Sequence, residues 1–110
     1  MLEESSATLR QRRELLLQEI PPFDAVLRGS LIERYKRCGK LGCKCAQGPG
    51  HGPKYYLSVS HSNEHPSMEY IPQAHHARAV ECLGNYRRIR QILDELCAIN
   101  RELLRRREAF

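Results

Sequence analysis

A chain of 110 residues with 41% apolar and 28% charged residues and no tryptophan is short enough to be read as one domain and too apolar to be wholly disordered. Its net charge of +5 is uneven: residues 28–54 carry seven cations against Glu33 alone, whereas residues 1–27 and 55–77 are each net −2. No run approaches the roughly 18 apolar residues of a membrane helix, and the opening MLEESSATLRQRRELLLQEI holds no signal-like apolar core, so a cytoplasmic protein with no membrane partner is expected.

The segment 1–22 is predicted to form an N-terminal helix over residues 3–19, because Leu2, Leu9 and Leu16 recur seven apart and share a helical face. Pro21-Pro22 ends it, since proline lacks an amide hydrogen and restricts the residue before it. Asp24 is then placed to cap a short helical turn through Leu27, broken by Gly29. From Ser30 the pattern alternates, with Leu31, Glu33, Tyr35 and Arg37 on one side and Ile32, Arg34 and Lys36 on the other. That predicts a strand over 30–37. KYYLSVS (54–60) and SMEYI (67–71) flank the turn-forming HSNEHP and predict a hairpin. Residues 28–72 thus read as a three-stranded antiparallel sheet.

The segment 74–108 is predicted to hold one long helix over 74–107. Cys82, Tyr86, Ile89, Leu93, Leu96, Asn100 and Leu103 alternate spacings of four and three, the pattern of a coiled-coil seam. Leu83, Ile92, Cys97, Ile99 and Leu104 widen it, and Cys82 and Cys97 read as packing residues. Asn100 either fixes the register of two paired helices, or is satisfied by an internal hydrogen bond or an exposed position. At 1.5 Å per residue this helix spans about 50 Å against about 25 Å for the first. A homodimer through Tyr86, Ile89, Leu93, Leu96, Asn100 and Leu103 is therefore expected. The fold class is α+β: a small sheet with a zinc-knuckle loop between an N-terminal helix and a long C-terminal one.

The chemistry concentrates in RCGKLGCKCAQGPGHGP, residues 37–53, between the first two strands. Cys38, Cys43, Cys45 and His51 supply three thiolates and one imidazole, a donor set suited to tetrahedral Zn2+. Five cysteines cannot all pair within one chain, and in a reducing compartment clustered thiols are more often ligands than disulfides. The competing chemistry is a redox pair of Cys43 and Cys45, whose thiol pKa the neighbouring Lys40 and Lys44 would lower. His61 stands in reserve as a fourth ligand.

Two further readings concern partners. Arg34, Lys36, Arg37, Lys40, Lys44 and Lys54 form a basic surface suited to phosphates, with Tyr55 or Tyr56 able to stack on exposed bases and Arg87 and Arg88 (with Arg90) extending it. At least one of the two tyrosines is expected in the core. This predicts a non-catalytic nucleic-acid-binding accessory protein, with DNA preferred to RNA. The alternatives are a zinc-stapled dimeric adaptor whose basic patch docks an acidic protein, and a thiol redox module. Enzyme templates do not fit: there is no phosphate-binding loop, no His-Glu-x-x-His helix and no zinc deaminase pattern.

Taken together, LRGSLIERYKRCGK, GCKCA, HGP and YYLS, followed by YIP and NYRRIRQILDEL, resemble a family of short uncharacterised bacterial proteins found in mobile-element neighbourhoods. The resemblance runs from about Leu27 to Arg105. It implies that Cys38, Cys43, Cys45 and the His51-Gly52-Pro53 triplet act as one unit, and that a recombinase or other mobile-element protein is a possible partner. Leu41 and Lys54 depart from its pattern, where proline and tyrosine are expected, but neither is a proposed ligand.

Overall fold

The computed structural model describes residues 3–36 and 51–110, the side chains of Lys36, His51 and Gly52 excepted. In chain order the described residues hold α1 (Ser6–Gln18), β1 (Ser30–Lys36), β2 (His51–Val59), β3 (Ser67–Ile71), a short 3-10 turn (Gln73–His75) and α2 (His76–Arg105). This is the α+β arrangement expected from the sequence. Helix α1 starts at Ser6 because Ser5 caps it, its Oγ accepting from the Thr8 amide at 3.1 Å. Residues 22–25 form one turn, closed by the Ala25 amide on the Pro22 carbonyl at 3.2 Å, and no helix follows to Leu27.

The chain divides into two compact units, Met1–Val26 with Gly84–Phe110, and Leu27–Leu83. In the first, α1 lies antiparallel to the C-terminal part of α2, with Leu9, Leu16, Ile92, Ile99 and Leu103 fully buried between them and Ile20 and Leu96 packed alongside. Polar pairs fix the alignment: Arg88 with Glu19 at 2.6 Å, Arg12 with Glu95 at 3.1 Å, and Arg13 donating to Asn100 Oδ1 at 2.7 Å. Glu102, buried, accepts from Arg106 Nε at 2.9 Å, while Arg105 Nη1 lies 2.9 Å from its other oxygen without hydrogen-bond alignment. Arg106 also donates to Ser6 Oγ at 3.0 Å and to the Glu4 carbonyl at 2.7 Å. Two guanidiniums thus compensate a buried carboxylate while tying the start of α1 to the end of α2.

The buried line of α2 runs Ile92, Leu96, Ile99, Leu103 and is covered by α1 of the same chain. The expected seam shares Leu96 and Leu103 with this line and otherwise lies beside it. Tyr86, Ile89, Leu96 and Asn100 are half-buried, Leu93 is 48% exposed, and Leu103 sits inside the single-chain core. The sequence supports both phases of the repeat, and Leu9 and Leu16 select one. Cys97 is exposed rather than packed, whereas Cys82 is buried.

In the second unit the sheet order is β1-β2-β3, antiparallel throughout. Leu57, Ile71, Ala79 and Leu83 form its buried core, with Leu27, Leu31, Tyr55 and Val59 packed around them. The Leu27 amide donates to the Cys82 carbonyl at 3.1 Å, fastening the entry to the sheet onto α2. Strand β2 begins three residues before the expected Lys54. Arg34 pairs with Lys54 and Lys36 with His51, so Gly52 and Pro53 together face Tyr35. Such a bulge accommodates a proline that cannot donate to the ladder.

Candidate nucleic-acid interface

Alternation along a strand sends neighbouring residues to opposite faces, and the register here sorts the sheet's chemistry by charge. One face carries the core residues Leu31, Tyr55, Leu57 and Ile71, and with them the sheet's acids, Glu33 and Glu69. Glu33 accepts from the Tyr35 hydroxyl at 2.6 Å, and that hydrogen bond raises the Tyr35 phenol above its usual 10.0. The other face carries Ile32, Arg34, Lys54, Tyr56, Met68 and Tyr70.

On that second face Ile32, Tyr56 and Tyr70 stand abreast across the three strands. Arg34 lies 5.7 Å from the centre of the Tyr56 ring, and Tyr56 meets Tyr70 edge-on at 5.7 Å. Both geometries exploit the ring quadrupole, which favours a cation over the face and the edge of a second ring against it. Arg34, Lys54, Tyr56 and Met68 line a depression of about 100 Å³. Tyr70 is 55% exposed at its border and Met68 39%. Two cations and two anchored rings thus share one open surface.

Of the residues expected to contact nucleic acid, Arg34, Lys54 and Tyr56 are brought together. Tyr55 points the other way: its ring meets that of His76 at a 39° tilt with centroids 4.0 Å apart and packs on the core, so it is the inward tyrosine of the pair. Arg87, exposed, and Arg88, paired with Glu19, belong to the other compact unit. Arg37, Lys40 and Lys44 lie outside the described residues, as does the side chain of Lys36. Met68 and Tyr70 were not anticipated. Their signal is the shared parity of the two residues in SMEYI, which becomes informative only once the hairpin register sets Tyr70 opposite Tyr56.

Three of the four proposed zinc ligands, Cys38, Cys43 and Cys45, and the side chain of His51 also lie outside the described residues. Among the described residues no group of three His, Cys, Asp or Glu side chains could hold a metal ion. The backbone of His51 is in place as the partner of Lys36 on the ladder. His61 Nε2 is 3.1 Å from Ser67 Oγ, an engagement local to the hairpin turn. Among the described residues no helix is long and apolar enough to cross a membrane.

No curated protein and no solved structure matches the chain. The family described as "Domain of unknown function (DUF6788)" matches residues 6–81, from α1 through the sheet to the first turns of α2. That span includes the whole cysteine segment and every residue of the basic, aromatic sheet face, and the chain belongs to this family.

Proposed function

We propose that the protein is a non-catalytic DNA-binding accessory protein that engages the phosphate backbone through the sheet face bearing Arg34, Lys54 and Tyr56. The observation that carries this reading is the segregation of charge by face, with the cations on the open side of the sheet beside Tyr56 and the acids Glu33 and Glu69 on the other. Cations grouped on one surface are the footprint of a polyanion partner. Lys36, Arg37, Lys40 and Lys44 extend the basic stretch in sequence. In this reading a Zn2+ on Cys38, Cys43, Cys45 and His51 organises that stretch beside the sheet. The resemblance to proteins of mobile-element neighbourhoods suggests a recombinase or similar protein as the setting.

Replacing both Arg34 and Lys54 by alanine is expected to weaken DNA binding and to flatten its salt dependence. Each phosphate contact contributes about 0.9 to the slope of log affinity against log salt for duplex DNA and about 0.7 for single strands. The double variant should therefore lose about 1.5 from the slope, read by fluorescence anisotropy across a salt series. Affinity that does not vary with salt in the unaltered protein would overturn the reading.

A second reading, the dimeric adaptor, is favoured by the exposure of Leu93 and Leu104 on α2 and of Leu15 and Leu17 on α1. Exposed leucines at this density suit a helix-to-helix contact with a second copy. Dimerisation through Tyr86, Ile89, Leu93, Leu96 and Asn100 predicts twice the monomer mass by light scattering at micromolar concentration, falling to the monomer mass in Leu93→Glu. A monomer mass for the unaltered protein rejects it.

A further inference from the structure

Resting on the DNA-binding reading above, we infer that the depression between Arg34, Lys54, Tyr56 and Met68, bordered by Tyr70, is a seat for an unpaired nucleobase, so that the protein holds single strands in preference to duplex. The walls and the rim differ in chemistry. Met68 and the Tyr56 ring offer polarizable apolar surface, whereas the ends of Arg34 and Lys54 are cationic. That is the complement of a nucleotide, a flat apolar base joined to an anionic phosphate. The depression holds about 100 Å³, the scale of one flat ring system.

The rings are also held in place. Arg34 over Tyr56 and the edge-on contact of Tyr56 with Tyr70 restrict both tyrosines, while Tyr70 keeps more than half its surface open. A base that stacks on Tyr70 therefore meets a ring that surrenders little freedom on binding.

Duplex DNA can meet the cations of this surface but cannot stack on its rings. Its bases are stacked on one another and present only their edges in the grooves, so a tyrosine face finds no base face unless the base is splayed out. The major groove admits a helix or a two-stranded ribbon. Here the groups are spread over three strands, Arg34 on β1, Lys54 and Tyr56 on β2, and Met68 and Tyr70 on β3, about 10 Å across before side chains are counted. A surface of that width lies on a single strand and tracks its phosphates.

The test uses the whole 110-residue chain and five labelled probes of one length: oligothymidine, its duplex with oligoadenine, oligouridine, the corresponding RNA duplex, and an abasic strand that keeps the phosphates and lacks the bases. Stacking on one base gains about 1–3 kcal/mol, so oligothymidine should bind about 5- to 150-fold more tightly than the abasic strand, and more tightly than its duplex. Tyr70→Ala, a change at an exposed position, should remove most of that preference and leave the salt slope as it was. Tighter binding of either pyrimidine strand than of its own duplex supports the inference, and the tighter of the two names the strand as DNA or RNA. Equal affinity for oligothymidine and the abasic strand, with a normal salt slope, overturns the base seat while leaving the phosphate contacts intact. So does a preference that survives Tyr70→Ala. Absence of binding to every probe at low salt overturns both the base seat and the reading on which it rests.

Discussion

Gly29→Ala is expected to destabilise the sheet unit by about 2–4 kcal/mol, the sum of a strained backbone and an overfilled contact. Gly29 has φ +144°, a conformation that residues with a side chain rarely adopt. A Cβ there would stand 2.7 Å from the Ser58 carbonyl oxygen and 2.8 Å from Leu57 Cδ1. Neither neighbour can yield cheaply. Ser58 lies on the central strand, paired on both sides with Ser30 and Met68, and Leu57 is in the buried core of the unit. The chain has no tryptophan, and four of its five tyrosines, Tyr35, Tyr55, Tyr56 and Tyr70, lie within Leu27–Leu83. Tyrosine fluorescence during urea unfolding therefore reports this unit. A midpoint that shifts by less than the equivalent of about 0.5 kcal/mol, the range of an ordinary surface substitution, would mean that β1 can move away from β2 at its first residue.

The sequence reading of Gly29 as a simple helix breaker illustrates where local pattern stops being informative. Proline pairs, alternation and seven-residue spacing identify the elements and their order because those signals act within a few residues of chain. What they leave open is decided by neighbours remote in sequence. Ile92 and Ile99 are buried rather than Ile89 and Leu93 because Leu9 and Leu16 approach α2 on that side. Asn100, equally suited to a register-setting place between two chains, is satisfied by Arg13 of its own helix pair. Adjacent Tyr55 and Tyr56 must point opposite ways, yet only the packing of His76 on Tyr55 shows which is inward. Lys54 and Arg34 become neighbours through strand register, and Tyr70 joins them only through the hairpin closed at Asn63, whose φ of 61° turns the chain back. The chemistry of the site was readable as residue types, but its membership required the ladder.

On the proposed zinc reading, removal of the metal should have the largest effect on this protein. Stripping the metal with a chelator, or replacing Cys43 by serine, is expected to lower the melting temperature by about 10–20 °C, equivalent to about 2–4 kcal/mol in a chain of this size. The sheet unit has a small core, with Leu57, Ile71, Ala79 and Leu83 as its buried members, and small cores are commonly supplemented by a metal. The segment 37–50 begins after Lys36 and ends before His51, which are partners on the ladder, so the sheet already holds the ends of the proposed ligand run together. Preorganised ends reduce the chain entropy that a metal must overcome, and binding free energy then appears as folding free energy. Because a thiol must be deprotonated to ligate zinc, a site on Cys38, Cys43 and Cys45 predicts a stabilisation that disappears as the pH falls and protons compete for the three sulfurs. Elemental analysis should find about one zinc per chain, the stoichiometry of a closed four-ligand site. Unchanged melting after verified metal removal would overturn the structural role. Protein purified under reducing conditions without metal would transfer the argument to Cys43 and Cys45 as reactive thiols, with their alkylation rate against pH as the quantity that distinguishes a lowered thiol pKa from an ordinary one.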